Sequence, residues 1–174
     1  MSKQTNTRQL TACAMLVALG VVLLWIGSVL EVAEISMAVV ASLLCIIAVI
    51  EYGGAWPWLV FAATSVLSLV LLPNKGVALT YALFFGYYPI LKERLERLPR
   101  VWQWVLKELI FNAAMAVILV MWRILLFPTA GKMPLMMIAM LVAVFELVFL
   151  LYDIALTRLI SLYLFRLRKR FRWK

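Results

Sequence analysis

Long apolar runs are the feature that most limits what this chain can fold into. Charged residues, glycines and prolines divide it into six apolar stretches whose lengths indicate helices rather than strands. Their predicted bounds are 9–30, 35–50, 55–72, 77–91, 102–127 and 134–164. A helix crosses a bilayer core with about 20 residues. The second and fourth predicted helices are shorter than this. We expect each of them to be tilted, to be protected by neighbouring helices, or to extend beyond its predicted bounds.

The composition indicates whether water or lipid surrounds these helices. Of the 174 residues, 67% are hydrophobic and 14% are charged, whereas about a quarter of the residues in soluble domains are charged. The predicted fold class is therefore all-α: a polytopic membrane protein with a bundle of about six transmembrane helices. The length leaves no room for a soluble domain, so we expect one transmembrane domain over 1–174, with a short basic cytoplasmic tail at 165–174.

The basic residues predict the orientation, because lysine and arginine are retained on the cytoplasmic side of a membrane. With six spans and cytoplasmic N- and C-termini, only Lys75 and Lys132 lie outside, while Arg123 and Arg158 fall within or at the ends of helices. The other basic residues lie inside: Lys3, Arg8, Lys92, Arg94, Arg97, Arg100, Lys107, Arg166, Arg168, Lys169, Arg170, Arg172 and Lys174. A five-span arrangement would place one of the basic clusters outside.

Missing residue types exclude several kinds of chemistry. The chain has no histidine and one aspartate, Asp153, which excludes Ser-His proteases, zincins, histidine-ligated haem sites and two-aspartate intramembrane proteases. Cys13 and Cys45 are expected to be core thiols rather than a disulfide or metal pair. We predict that the protein is not an enzyme and needs no cofactor, although an enzyme using Glu146 and Asp153 remains a distant alternative.

Ionisable residues inside the predicted helices are the strongest candidates for function. They are Glu108 and Arg123 on the fifth helix, and Glu146, Asp153 and Arg158 on the sixth. Charges at membrane depth are costly, so they pair with each other or line a path. Glu146 lies about 18 Å along the helix from Pro134, near mid-membrane. Structural ion pairs and a ligand or proton site both remain open for these residues.

Two further segments are expected to contact partners. Ala14 and Ala18 lie four residues apart on one face of the first helix, where small residues permit either packing inside the bundle or docking of another membrane subunit. In the segment 84–100, Leu91, Leu95 and Leu98 share one helical face, which predicts that it lies along the inner membrane interface. The charged residues occupy the rest of that helix: Lys92, Glu93, Glu96, Arg97 and Arg100. The basic tail is expected to bind anionic lipid, with nucleic acid as a poorer alternative.

Six spans in so short a chain, cytoplasmic termini, short middle spans and the Ala14-x-x-x-Ala18 motif resemble the S component of energy-coupling factor (ECF) transporters. The resemblance implies a multi-pass protein of the bacterial inner membrane that captures a vitamin-like small molecule or micronutrient from outside. It implies that Ala14 and Ala18 contact the transmembrane T subunit. It also implies that partner subunits hydrolyse ATP, and the chain itself has no GxxxxGK[ST] loop.

On this interpretation five residues bind the substrate: Arg123, Glu146, Tyr81, Asn74 and Lys75. Arg123 suits an anionic group of the ligand. The alternative is a non-transporting membrane scaffold, because the chain is also similar in size and span number to rod-shape proteins of the MreD type. In a scaffold, Arg123 and Glu146 would be structural.

Overall fold

The computed structural model describes residues 2–30, 33–125 and 135–163, and within these ranges every regular element is helical. The chain forms two compact units, Met1–Leu126 and Phe127–Lys174. The helices of the first unit are α1 (Ser2–Val29), α2 (Glu34–Glu51), α3 (Trp56–Leu71), α4 (Lys75–Thr80), a π-helical segment (Tyr81–Phe85), α5 (Tyr88–Leu95) and α6 (Arg100–Leu125). The second unit contains α7 (Leu135–Leu162). The basic tail at 165–174 lies outside the described residues.

The predicted helical segments are confirmed where the structure describes them, with one correction. The predicted fourth helix, 77–91, is not a single regular helix: it starts at Lys75, passes through the π-helical segment and continues to Leu95. Pro89 lies in the first turn of α5. Proline has no N–H to donate to the preceding turn and its ring crowds that turn, so a regular helix cannot run through this position.

A tight turn separates α2 from α3, as the predicted bounds 35–50 and 55–72 require. Gly53 and Gly54 have φ values of +60° and +56°, a left-handed conformation that residues with a Cβ atom rarely adopt. The Trp56 N–H then donates to the Gly53 carbonyl at 3.3 Å. Pro57 in the first turn of α3 suits the start of a new helix. The second and third helices are therefore separate elements.

Three described helical ranges are long and apolar enough to cross a membrane. These are Thr7–Val29, Glu34–Glu51 and Arg100–Met121. The apolar helix α3 is shorter. These lengths and compositions are compatible with a membrane protein.

Close contact between α1 and its neighbours organises the first unit. A Cβ atom added at Gly27 would lie 2.7 Å from Met37 Cβ on α2, and one added at Gly20 would lie 3.2 Å from Thr64 Cγ2 on α3. Cys13 is buried two turns before Gly20, on the same side of α1. The buried residues of α2 are mostly small as well: Ala38, Ala41, Ser42, Cys45, Ile46 and Ala48. Small side chains let the helix backbones approach closely.

The two cysteines belong to this packed region. Cys13 and Cys45 are both buried and both free, which confirms the prediction of core thiols. The Cys45 thiol lies 3.7 Å from the Pro57 carbonyl oxygen, to which it donates. The thiol therefore links α2 to the first turn of α3.

We predict that Gly27→Ala lowers the free energy of unfolding by about 1–3 kcal/mol, the usual cost of overpacking a core. The added methyl group would meet Met37 Cβ, which cannot rotate away because it is attached directly to the α2 backbone. Gly20→Ala is the matched control and should cost less, because its nearest neighbour is the Thr64 methyl group at 3.2 Å. Denaturation in mild detergent measures both variants, and an equal or reversed order would contradict the proposed contact.

Candidate functional site

The outward face of α1 contains both alanines of the predicted docking motif. Ala14 and Ala18 are exposed, and Met15, Val22 and Trp25 are exposed on the same side of the helix. The buried face of α1 instead carries Cys13, Gly20, Leu24, Gly27 and Ser28. The two alanines therefore do not contribute to the described core, and their small side chains leave a shallow surface on an otherwise bulky apolar face.

Asn74, a predicted substrate-binding residue, joins the ends of three helices. Its backbone N–H donates to Ser28 Oγ at the end of α1, at 2.9 Å. Its side-chain Nδ2 donates to Glu34 Oε1 at the start of α2. Its Oδ1 accepts the Gly76 N–H at 2.9 Å and so caps the N-terminus of α4. The Asn74 amide thus uses both its donor and its acceptor side within the fold.

Lys75, the next predicted binding residue, caps the C-terminus of α3. Its Nζ donates to the carbonyl oxygens of Leu69 and Leu72, both at 2.8 Å. The last carbonyl groups of a helix have no partner within the helix, and a nearby cation also interacts favourably with the helix dipole. Asn74 and Lys75 are therefore brought together, and both organise helix ends.

Tyr81 starts the π-helical segment and is almost fully buried, with 1% of its surface exposed. Its ring centroid lies 6.4 Å from that of Phe61 on α3, and Phe61 also contacts the ring of Tyr87 edge-on at 6.0 Å. Gly86 lies between these rings, because a Cβ atom there would be 2.5 Å from Phe61 Cδ2. Tyr81 therefore belongs to an aromatic cluster that positions the π-helical segment against α3.

An open groove of about 310 Å³ lies between the π-helical region and α6. It was not predicted from the sequence. Its lining is almost entirely apolar: Ala82, Leu83, Tyr87, Ile110, Ala113, Ala114 and Val117. The volume reaches the lower limit of pockets that bind small molecules, and Tyr87 is the one residue among these that carries a polar side-chain group.

The remaining predicted binding residues are Arg123 and Glu146. Arg123 lies in the last turn of α6, and its side chain is outside the described residues. Glu146 lies within α7, in the second unit. The described part of the first unit therefore contains Asn74, Lys75 and Tyr81, and the grouping of all five residues stays a prediction.

A buried charge cluster at the junction of α5 and α6 corrects the sequence analysis of segment 84–100. Lys92 was assigned to the polar side of an interfacial helix, but its side chain is fully buried. Its Nζ lies 3.2 Å from Glu96 Oε1, and the Nζ of Lys107 on α6 lies 3.9 Å from the same oxygen. Leu98, assigned to the apolar face, is exposed. Glu96 therefore bridges two buried ammonium groups and ties α5 to α6.

Two neighbours reinforce this junction. The Nζ of Lys107 lies 5.6 Å from the ring centroid of Trp104, a distance typical of a cation–π contact. Gln103 Nε2 donates to the carbonyl oxygens of Leu98 at 2.6 Å and Glu96 at 3.0 Å. These bonds hold the connection that follows α5. The sequence signal available for this cluster is the Lys-x-x-x-Glu spacing, which predicts the ion pair but not its burial.

We predict that Glu96→Gln lowers the free energy of unfolding by about 1–3 kcal/mol, because it removes a carboxylate shared by two buried cations. Glu93→Gln is the matched control. Glu93 pairs with Arg97 at 2.7 Å, but both side chains are exposed, so its loss should stay within about 0.5 kcal/mol. Chemical denaturation in detergent compares the two variants, and equal effects would show that the burial of Lys92 does not depend on Glu96.

Comparison of the chain with models of protein families, with curated proteins and with solved structures gives no match.

Proposed function

We propose that this chain is a six-span integral membrane protein with cytoplasmic termini, and that it serves as the substrate-binding subunit of an ECF-type importer. Its cargo would be a vitamin-like small molecule or micronutrient. The proposal is supported most directly by the exposure of Ala14 and Ala18 on an apolar face of α1. A face that is small, apolar and not used by the core suits a membrane helix of another subunit.

Docking through α1 would couple this subunit to an energy source. The exposed alanines permit close approach of a helix from the transmembrane T subunit, and van der Waals packing then stabilises the complex without charged groups. ATP hydrolysis would take place in separate ATPase subunits. The basic tail and the basic segment around α5 would face anionic lipid on the cytoplasmic side.

The capture site would lie toward the outer side of the bundle. Asn74 and Lys75 would shape its rim by holding the ends of α1, α2, α3 and α4, because their hydrogen bonds end on those helices. Arg123 and Glu146 would bind the ligand, with the guanidinium paired to an anionic group. Tyr81 would support this site through its buried ring.

The docking role predicts that Ala14→Leu abolishes co-purification of a membrane partner without lowering thermal stability. Leucine at this exposed position fills the shallow surface but meets no core residue. Ala62→Leu is the matched control, since Ala62 is an exposed alanine on a different apolar helix, α3. Native mass spectrometry of the protein purified from its own membranes in mild detergent measures the partner. Equal retention of a partner by both variants would exclude the α1 face.

The capture role predicts that Arg123→Ala removes a small molecule that co-purifies with the unsubstituted protein, while the protein stays folded. Arg100→Ala, at the other end of α6, is the control and should retain the molecule. The same native mass spectra measure ligand occupancy, and a melting curve checks the fold. A molecule bound equally by both variants would remove Arg123 from the site.

A membrane scaffold of the MreD type is the second candidate function. The use of Asn74 and Lys75 as helix-end partners favours it, because two of the five predicted ligand contacts then have structural roles. Under this alternative the purified protein carries no small molecule. Replacing Arg123 or Glu146 would then lower thermal stability, since each would leave a charge without its partner.

A further inference from the structure

Two hydroxyl groups in the interior of the first unit have no hydrogen-bond partner among the described residues. They belong to Ser65 and Ser68 on α3, which are 7% and 0% exposed. Their Oγ atoms are buried and make no hydrogen bond within the described ranges. A buried polar group without a partner costs free energy of folding, and such groups are uncommon in folded proteins. The fold itself does not account for these two hydroxyl groups.

Other hydroxyl groups in the helices of this chain bond to their own backbone. Thr80 donates to the carbonyl oxygen four residues earlier at 2.8 Å, and Ser42 to the one three residues earlier at 2.6 Å. Three further residues form the same bond as Thr80: Thr11, Thr157 and Ser161. A serine inside a helix can always donate in this way. Ser65 and Ser68 do not, so both Oγ atoms are available to a group other than the α3 backbone.

The two hydroxyl groups lie on a side of α3 that faces other elements of the unit. Ser65 and Ser68 are three residues apart and are therefore neighbours on the helix. Phe61, one turn before Ser65, packs against the π-helical segment, with 6.4 Å between its ring centroid and that of Tyr81. Thr64, one turn before Ser68, packs against α1. The hydroxyl pair therefore lies on the part of α3 that α1 and the π-helical segment adjoin.

The pair also lies just inside the end of the unit that Asn74 and Lys75 organise. The Ser68 carbonyl oxygen accepts the Leu72 N–H at 3.0 Å, and the Leu72 carbonyl oxygen accepts the Nζ of Lys75 at 2.8 Å. At a rise of 1.5 Å per residue, Ser68 lies about 6 Å and Ser65 about 10 Å along α3 from Leu72. The two hydroxyl groups therefore lie beneath the rim of the proposed capture site.

The chemistry of the pair limits what it can bind. Each hydroxyl group offers one hydrogen-bond donor and two acceptor lone pairs, and neither carries a charge. The helix α3 has no charged residue either. A fully charged group is costly to bury without an opposite charge. The pair therefore suits an uncharged group that donates or accepts hydrogen bonds.

We propose that Ser65 and Ser68 form the inner end of the capture site and bind an uncharged carbonyl, amide or hydroxyl group of the cargo. The inference rests on the proposed function. Ser68 is fully buried, so the site is closed in this structure, and cargo enters past the helix ends that Asn74 and Lys75 hold. Without cargo the two hydroxyl groups have no partner, so the site lowers the stability of the empty protein in favour of binding.

Alanine substitution distinguishes this role from a structural one. In protein freed of small molecules by prolonged washing in detergent, Ser65→Ala and Ser68→Ala should each raise the melting temperature by about 2–4 °C, because an unpartnered buried group is removed. Ser42→Ala is the matched control and should not raise it. Ser42 is also fully buried, but its Oγ donates to the Val39 carbonyl oxygen. A melting temperature that falls or stays unchanged in both α3 variants would mean that the hydroxyl groups are already bonded, to the protein or to trapped water, and would overturn the proposal.

Native mass spectrometry of the full chain, purified from its own membranes, measures the binding role. The probe is the small molecule that the unsubstituted protein retains, identified by its mass and titrated back into emptied protein. Each α3 variant should bind it about two- to tenfold more weakly, the effect of one lost hydrogen bond, and Ser42→Ala should bind it normally. Equal binding by all three variants, or a retained molecule without an uncharged carbonyl, amide or hydroxyl group, would contradict the inference.

The same spectra separate failure of this inference from failure of the proposed function. If Arg123→Ala releases the retained molecule but both α3 variants bind it normally, the serine site alone is overturned. If the unsubstituted protein retains no small molecule, the capture role is overturned, and the serine site with it.

Discussion

The close approach of α1 to α2 and α3 is the constraint on which the first unit depends. In the proposed membrane location, burial of apolar surface would contribute little to helix association, which would rely on van der Waals contact and on short interhelical distances. Gly27 against Met37 and Gly20 against Thr64 provide those distances. The small buried residues of α2 extend the contact along the helix. Bulky apolar side chains of α1, among them Met15, Val22 and Trp25, lie on the opposite face, which is exposed.

The polar groups of the first unit are arranged around this packing. Asn74 and Lys75 satisfy helix ends, where backbone groups would otherwise lack partners. Glu96 compensates two buried ammonium groups at the junction of α5 and α6. Asn112 is exposed on α6, where its Nδ2 donates to the carbonyl oxygen of Glu108 in the preceding turn at 3.0 Å.

The helices could be predicted from the sequence because apolar runs interrupted by glycine, proline and charge leave few alternatives. The burial of Lys92 could not. Leu91, Leu95 and Leu98 were placed on one face of a regular helix, which put Lys92 on the polar side. α5 ends at Leu95, so Leu98 lies beyond the helix and is exposed. Lys92 lies at the junction of α5 and α6, a packing contact that the spacing of residues within one segment does not reveal.

The candidate site was harder to predict than the fold for a chemical reason. The same donors that bind a ligand also cap helices, so the residue types of Asn74 and Lys75 do not distinguish the two roles. Ala14 and Ala18 presented a similar choice, since small residues serve both internal packing and docking. Only the position of Gly20 and Gly27 on the other side of α1 shows which small residues form the core.

The hydrogen bonds of Asn74 limit how the bundle can move. One residue connects the end of α1, the start of α2 and the start of α4, and Lys75 beside it holds the end of α3. None of these four helix ends can shift far by itself without breaking a bond at this point. Any opening at this end of the unit is therefore a joint displacement of several helices, or begins with the release of this single residue pair.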